Sequence, residues 1–276
     1  MDGELGDFLR SRRARIRPEE VGLPTHGRRR VPGLRREEVA QLAGVSVDYY
    51  IRLEQGRGPS VSDAVLDAIA RVLRLDETEH AYLRTVARPG KDTKRARYSA
   101  GPRVRPGVQL LLDGMDRTAA FVLGRRMDVL AWNALGDAVN GFSALAPAER
   151  NVPRQVFLDP AAEDFYPDWA AVAAQTVANL RIDAGRHPDD PRMAALIGEL
   201  SLKSADFRRL WADHEVKECA YGVKRIQHPV AGLLTLPYET LTVPTAPDQT
   251  VVAYTPEPGS ETAERLALLA SWATTG

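Results

Sequence analysis

Leu34–Gly58, LRREEVAQLAGVSVDYYIRLEQGRG, decides how this chain is read. Val39, Leu42 and Ala43 share one face of a segment that begins at Arg36, which predicts a short helix over Arg36–Ala43. Gly44 follows, where a helix can end in left-handed backbone without a Cβ penalty. Ser46 is a natural N-cap for a second helix, whose apolar positions Tyr50 and Leu53 repeat at helical spacing as far as Gln55. Gly56 supplies the next stop. Two short helices joined by a Gly-containing turn match the unit that lays its second helix in the DNA major groove. A plain helical hairpin inside a bundle has the same periodicity, so periodicity does not separate the two.

Charge and side-chain size favour the first. Arg35, Arg36, Arg52 and Arg57 gather toward one end of the pair, and small or polar residues open the second helix. The spaced residues Glu37-Glu38-Val39-Ala40, Gly44-Val45-Ser46 and Leu53-Glu54-Gln55-Gly56 resemble the motif of the Cro/C1-type (XRE) helix-turn-helix family. The resemblance implies double-stranded DNA, an operator, as the partner. Arg35, Arg36 and Arg57 would then contact phosphates, and Ser46 would offer its hydroxyl and nearby N–H groups to another. Val47, Asp48 and Arg52 occupy the groove-facing positions: Arg52 suits guanine, Val47 a thymine methyl, and Asp48 the amino group of cytosine. Tyr49 reaches a phosphate or a base, and Tyr50 faces inward. Valine and aspartate stand where many relatives carry Gln or Ser, which departs from the family's usual base contacts.

With 276 residues the chain has room for two domains. Its net charge of zero conceals a division: residues 1–100 hold 20 Lys and Arg against 15 Asp and Glu, and the remainder holds 17 against 22. A basic head on an acidic body fits a nucleic-acid-binding module joined to one that binds something else. No apolar run approaches the ~20 residues of a membrane span, and MDGELGDFLRSRRARI has no apolar secretion core, so a cytoplasmic location with no membrane partner is expected. The single cysteine, Cys219, excludes an internal disulfide and a cysteine-cluster zinc site.

Leu5–Ile16 reads as the first helix, with Leu5, Phe8, Leu9 and Ile16 apolar and Pro18 closing it. The loop 18–32 carries Arg28, Arg29 and Arg30, which fit a solvated loop and a DNA-contacting arm equally well. Ser62–Leu73 and a helix from Asp76 to Val86 follow, with His80 as an exposed passenger. The fold class expected for residues 1–88 is therefore an all-α helix-turn-helix domain of five helices. Residues 89–106, rich in Pro, Gly and basic side chains, read as a linker.

Residues 107–276 read as an α+β domain with an antiparallel sheet. Gly107–Met115 is a short helix, Phe121–Leu123 and Val129–Trp132 a hairpin, and Asn133 a cap for Ala134–Val139. Helical patterns follow over Pro167–Ala184, Pro191–Ser201 and Ala205–Asp213, then strands over Gly222–His228, Ala231–Tyr238 and Gln249–Tyr254. The hairpin running into a "WN-helix" resembles the start of a PAS-like sensor. FLDPAAEDFYPDW, AGRHPDDPRMAALIGELSLKSADFRRLWADHEV and HPVAGLLTLPYETLTVP resemble the MmyB-like ligand-binding domain, which follows XRE-type heads in many actinobacterial regulators.

That resemblance implies a PAS-like fold with an interior site for a small, largely apolar ligand such as a fatty acid, and a homodimer on a pseudo-palindromic operator. Candidate lining residues are Phe121, Leu123, Leu130, Trp132, Phe157, Phe165, Trp169, Phe207, Trp211, Val252 and Tyr254, each of which also fits ordinary core packing. Arg181 and His214 are candidates to hold a carboxylate. Arg181 can equally pair with Asp183 or Glu199, and His214 can close a helix C-terminus. No phosphate-binding glycine loop is present and His187, His214 and His228 are scattered, so no catalytic residue, metal site or cofactor is expected. The rival is a lipid or small-molecule carrier that uses its helical head for protein contacts.

Overall fold

In the computed structural model, which describes residues 3–24, 33–56, 61–88, 103–214, 220–244 and 246–273, Gly44 takes φ +69° and ends the first motif helix. The N–H of Val45 returns to the carbonyl of Ala40 at 3.0 Å, so the orphaned end of the helix is satisfied by the turn itself. Arg28, Arg29, Arg30, Arg57 and Cys219 lie outside the described residues.

The chain divides into two units. The first comprises Met1–Lys94, Arg181–Asp190 and Trp211–Glu218. Its helices are α1 (Gly3–Arg15), α2 (Arg36–Ala43), α3 (Val47–Glu54), α4 (Asp63–Val72) and α5 (Glu77–Ala87), the five expected. Local chemistry starts three of them. Ser46 accepts the Tyr49 N–H at 3.2 Å, Ser62 that of Val65 at 3.4 Å, and Asp76 that of Glu79 at 2.8 Å. Phe8, Leu9, Leu34, Val39, Tyr50, Leu53, Leu66, Ile69 and Leu83 form the core. Leu42, expected on the apolar face of α2, is instead 39% exposed, because the two-turn helix has already buried Val39 and Ala40 against its neighbours. His80, expected as a passenger, places Nε2 2.9 Å from Asp67, which also pairs with Arg84 at 2.6 Å.

A buried carboxylate ties α1, α2 and α3 together. The Glu54 side chain has no exposed surface. Arg13 Nε and Nη2 both reach it at 3.1 Å, and Arg36 Nη2 at 2.8 Å. Arg13 also donates to the Leu34 carbonyl at 2.6 Å. α1 approaches so closely here that a Cβ on Gly6 would stand 2.1 Å from the Glu54 carbonyl oxygen.

Residues 181–190 and 211–218, expected from sequence within the second domain, count with the first unit. Ile182 packs into its core, and Arg12 donates to the His214 carbonyl at 2.5 Å.

The second unit comprises Arg95–Leu180, Pro191–Leu210 and Cys219–Gly276. Its strands are β1 (Ala120–Leu123), β2 (Val129–Trp132), β3 (Tyr221–His228), β4 (Gly232–Val243) and β5 (Ala246–Tyr254). They form one antiparallel sheet in the order β2-β1-β5-β4-β3. Phe121, Ile226, Leu234, Leu236, Tyr238, Val252 and Tyr254 point to one face. That face is covered by α7 (Ala134–Asn140), α8 (Val152–Leu158), the start of α10 (Trp169–Arg186) and α13 (Glu261–Ala273). The other face receives α6 (Pro106–Asp113), whose Val108 and Leu112 pack on Ala120, Val122, Ala131 and Ala253. The helices α9 (Ala162–Phe165), α11 (Pro191–Lys203) and α12 (Ala205–Ala212), with short 3-10 turns at Pro18–Val21 and Phe142–Ala144, complete the described elements. The helices α8, α9 and α13 go beyond the elements expected from sequence.

Asn133 holds the hairpin, α6 and α7 in place. Its Oδ1 accepts from Ala120 N at 3.0 Å and Gly136 N at 2.7 Å, and its Nδ2 donates to the carbonyls of Leu112, Met115 and Thr118.

Glu54→Ala would leave Arg13 buried without its counter-charge. The expected loss is about 3–5 kcal/mol, the usual cost of removing one partner of a buried pair, read from urea unfolding of the full chain.

Candidate functional site

The Ser46 cap fixes where α3 begins, and Tyr50 and Leu53, both buried, fix which face it turns inward. The opposite face is left to solvent: Val47 is 37% exposed, Asp48 and Arg52 are exposed, and Tyr49 is half-buried. Arg35 is exposed at the start of α2. Arg36 is placed differently from its neighbour. Its bonds to Glu54 hold its pKa above the usual arginine value and commit the guanidinium to the scaffold, with two-fifths of the side chain still open. Val47, Asp48 and Arg52 thus share one exposed helix face.

In the second unit, Phe121, Leu123, Trp132, Phe157, Phe165, Trp169, Val252 and Tyr254 all belong to the core beneath the inward face of the sheet. Their rings interlock edge to face: Phe121 meets Phe142 at 5.2 Å and Tyr254 at 5.9 Å, and Phe157 meets Trp169 at 6.1 Å and Phe207 at 5.2 Å. Leu130 lies on the other face, with Ala131 and Val122. A bulge in the β1–β2 pairing between Val122 and Leu123 breaks the simple alternation that would have put Leu130 beside Trp132.

Arg181, Trp211 and His214 are brought together, but within the first unit. The Arg181 guanidinium, 1% exposed, stacks 4.1 Å from the Trp211 ring centroid. It lies 2.9 Å from His214 Nδ1 and 3.4 Å from Glu4, and also donates to the Trp211 carbonyl. Burial lowers the His214 pKa to about 4, and the positive charge of Arg181 adds to the effect. Tyr82 donates to the same Glu4 carboxylate at 2.7 Å. Among the described residues the ionic partner of Arg181 is Glu4, not the Asp183 or Glu199 that sequence distance favours.

His228 is occupied structurally. Its Nδ1 accepts the N–H groups of Val230 and Ala231, and Nε2 lies 2.9 Å from the Ala138 carbonyl. No group of three or more His, Cys, Asp or Glu is arranged to hold a metal ion among the described residues.

Four polar groups were missed from sequence. Tyr166, Gln175, Lys224 and Tyr238 project into the same interior as the aromatic rings. The available signal was the alternation in β3, where Lys224 shares a side with the buried Ile226 and His228.

A family model described as the MmyB-like transcription regulator ligand binding domain matches residues 104–269, and one described as a helix-turn-helix domain matches residues 4–83. No curated protein gives a match to the chain.

The depressed pKa of His214 carries a pH dependence. The unfolded side chain takes up its proton near 6.5 and the folded one only near about 4. Its contribution to stability is therefore complete above 6.5 and falls away as pH drops through that window toward 4. The urea midpoint of the full chain is expected to be lower at pH 5 than at pH 7, and His214→Asn should shrink that difference.

Proposed function

The chain belongs to the MmyB-like transcription regulator family, and from that premise we propose a cytoplasmic regulator whose operator binding is modulated by a small, largely apolar, fatty-acid-like ligand in its second unit. The observation that carries the DNA reading is the exposed Val47–Asp48–Arg52 face of α3, presented by a helix whose other face is buried and whose end is tied down by Glu54. Arg52 pairs with a guanine, and Val47 and Asp48 read neighbouring bases. Arg35, Ser46, Tyr49 and Arg57 hold the phosphate backbone, with Arg36 contributing its charge from its place against Glu54. The head acts on a pseudo-palindromic site as one half of a homodimer, the arrangement in which helix-turn-helix units gain specificity from two half-sites.

The aromatic interior of the second unit supports the ligand part: its lining is apolar with a few polar groups, the composition of small-molecule sites. Ligand binding acts on DNA affinity through a difference in affinity for two arrangements of the protein.

The test begins with selection of a binding sequence from random duplexes, followed by fluorescence anisotropy. Wild-type binding should weaken steeply with salt. Arg52→Ala should cost about 1–3 kcal/mol on the selected sequence and much less on a scrambled one. Equal losses on both would remove Arg52 from base recognition. A chain that binds no duplex at any salt would be a carrier rather than a regulator.

A further inference from the structure

The outer face of the sheet in the second unit is covered on one half only. Val108 and Leu112 of α6 pack on Ala120, Val122, Ala131 and Ala253, so the helix lies over β2, β1 and β5. Cross-strand partners share a face, and the register carries that face on to the remaining strands. Ala120 stands opposite Ala253, Ala253 opposite Glu239, and Glu239 opposite Tyr221, while Val122, Val251 and Leu241 form the next row. On this half Tyr221 is 74% exposed, Val223 63% and Leu241 58%. Where α6 stops, β4 and β3 present large apolar side chains to solvent.

The helix has the matching defect. At about 3.6 residues per turn, Leu110 stands on the back of α6 from Val108 and Leu112, and it is 71% exposed. Leu111, 66% exposed, stands on one flank, and Gln109, on the other, donates to the Trp132 carbonyl at 3.1 Å. Exposed apolar groups gathered in this way mark an interaction site.

Charge says what the occupant is. Arg105, the N-cap of α6, and Asp113, its last residue, are exposed and stand ~12 Å apart along the helix. On the bare strands Glu239 and Arg225 are exposed, and Glu239 lies ~14 Å along β4 from Thr235, the partner of Arg225. The helix thus carries a cation and an anion at the spacing at which the sheet carries an anion and a cation. Among the described residues neither Arg105 nor Glu239 forms an ion pair, and Arg225 meets the exposed Asp168 at 3.4 Å. Residues 89–102, the chain's own stretch before α6, offer one large apolar side chain, Tyr98, among four basic ones, a poor cover for such a face.

We propose that the occupant is a second copy of the chain, with α6 of each protomer laid along the bare β4–β3 face of the other. Leu110 meets Tyr221, Val223 and Leu241, with Arg105 beside Glu239 and Asp113 beside Arg225. Knob and socket are on the same chain, so one two-fold axis satisfies both at once and leaves no open end. A standard interface takes ~800 Å² from each partner, and five large apolar side chains, each more than half exposed, supply much of it. This rests on the homodimer reading and adds the face that forms it.

The test is sedimentation of the full chain across a concentration series, alone and on a selected DNA duplex, with far-UV circular dichroism as the check of folding. Wild type is expected to sediment as a dimer. Leu110→Asp and Leu241→Asp, both at exposed positions, should each raise the dimer dissociation constant roughly tenfold or more. Arg105→Glu and Glu239→Arg should each weaken the dimer, and the two together should restore it. Rescue by the double exchange supports the arrangement even where a leucine variant fails to fold, and its absence overturns it. A wild-type dimer that none of these changes weakens overturns this face and leaves the homodimer reading standing. A chain that stays monomeric at every concentration, alone and on the duplex, overturns both and leaves the face to residues 89–102 or to another partner.

Discussion

A carboxylate with no solvent contact must be matched by charge and hydrogen bonds or it destabilises the fold that encloses it. Glu54 is matched by Arg13 from α1 and Arg36 from α2, and both contacts have to be made in one geometry. Arg13 passes the constraint on by holding the Leu34 carbonyl, which sets how the chain enters α2. Tyr50, one turn before Glu54, is buried against the same cluster, and its phenol pKa is pushed up by burial and then by the Glu54 charge. The two faces of α3 follow from this. The side facing Glu54 and Leu53 is spent on the scaffold, and Val47, Asp48 and Arg52 are left exposed. A helix of two turns has little stability of its own, so its orientation has to be imposed from outside.

The second unit solves a comparable problem with an uncharged group. Asn133 uses its carbonyl and both amide protons on backbone partners from the hairpin, α6 and α7, so a single side chain satisfies several buried groups at once. With that end fixed, the sheet presents one face to the helical layer and the other to α6. Lys224, Tyr238 and Gln175 are then gathered on β3, β4 and α10, at a distance along the sheet from Asn133.

Among the described residues, each unit holds cationic side chains that form no ion pair. Arg35 and Arg52 are exposed on the head, and Lys224 faces the interior of the body. The arginines that carry structure, Arg12, Arg13 and Arg181, are buried and bonded. Composition cannot make this distinction, since a zero net charge is compatible with either arrangement.

What sequence by itself determined was whatever depends on local periodicity and capping. Ser46, Asp76 and Asn133 each cap the helix their spacing implied, because a cap acts within three residues of itself, and of Ser60 and Ser62, which sequence left open for the next helix, Ser62 is the cap. The five-helix head and the antiparallel α+β body were legible for the same reason. The last helix carries the same kind of signal, in the spacing of Leu266, Leu269 and Ala270. Tertiary structure alone decided the long-range pairings. Arg36 and Arg35 are adjacent and chemically alike, yet only Arg36 finds Glu54, eighteen residues away. Arg181 pairs with Glu4 rather than with a nearer acid, and a bulge between Val122 and Leu123 turns Leu130 away from Trp132. The alternation of β3 gives the side on which Lys224 lies but not what it meets there. Its meaning comes from rings contributed by Tyr166 and Tyr238, and such partners are chosen by how helices and strands pack, which local spacing does not encode.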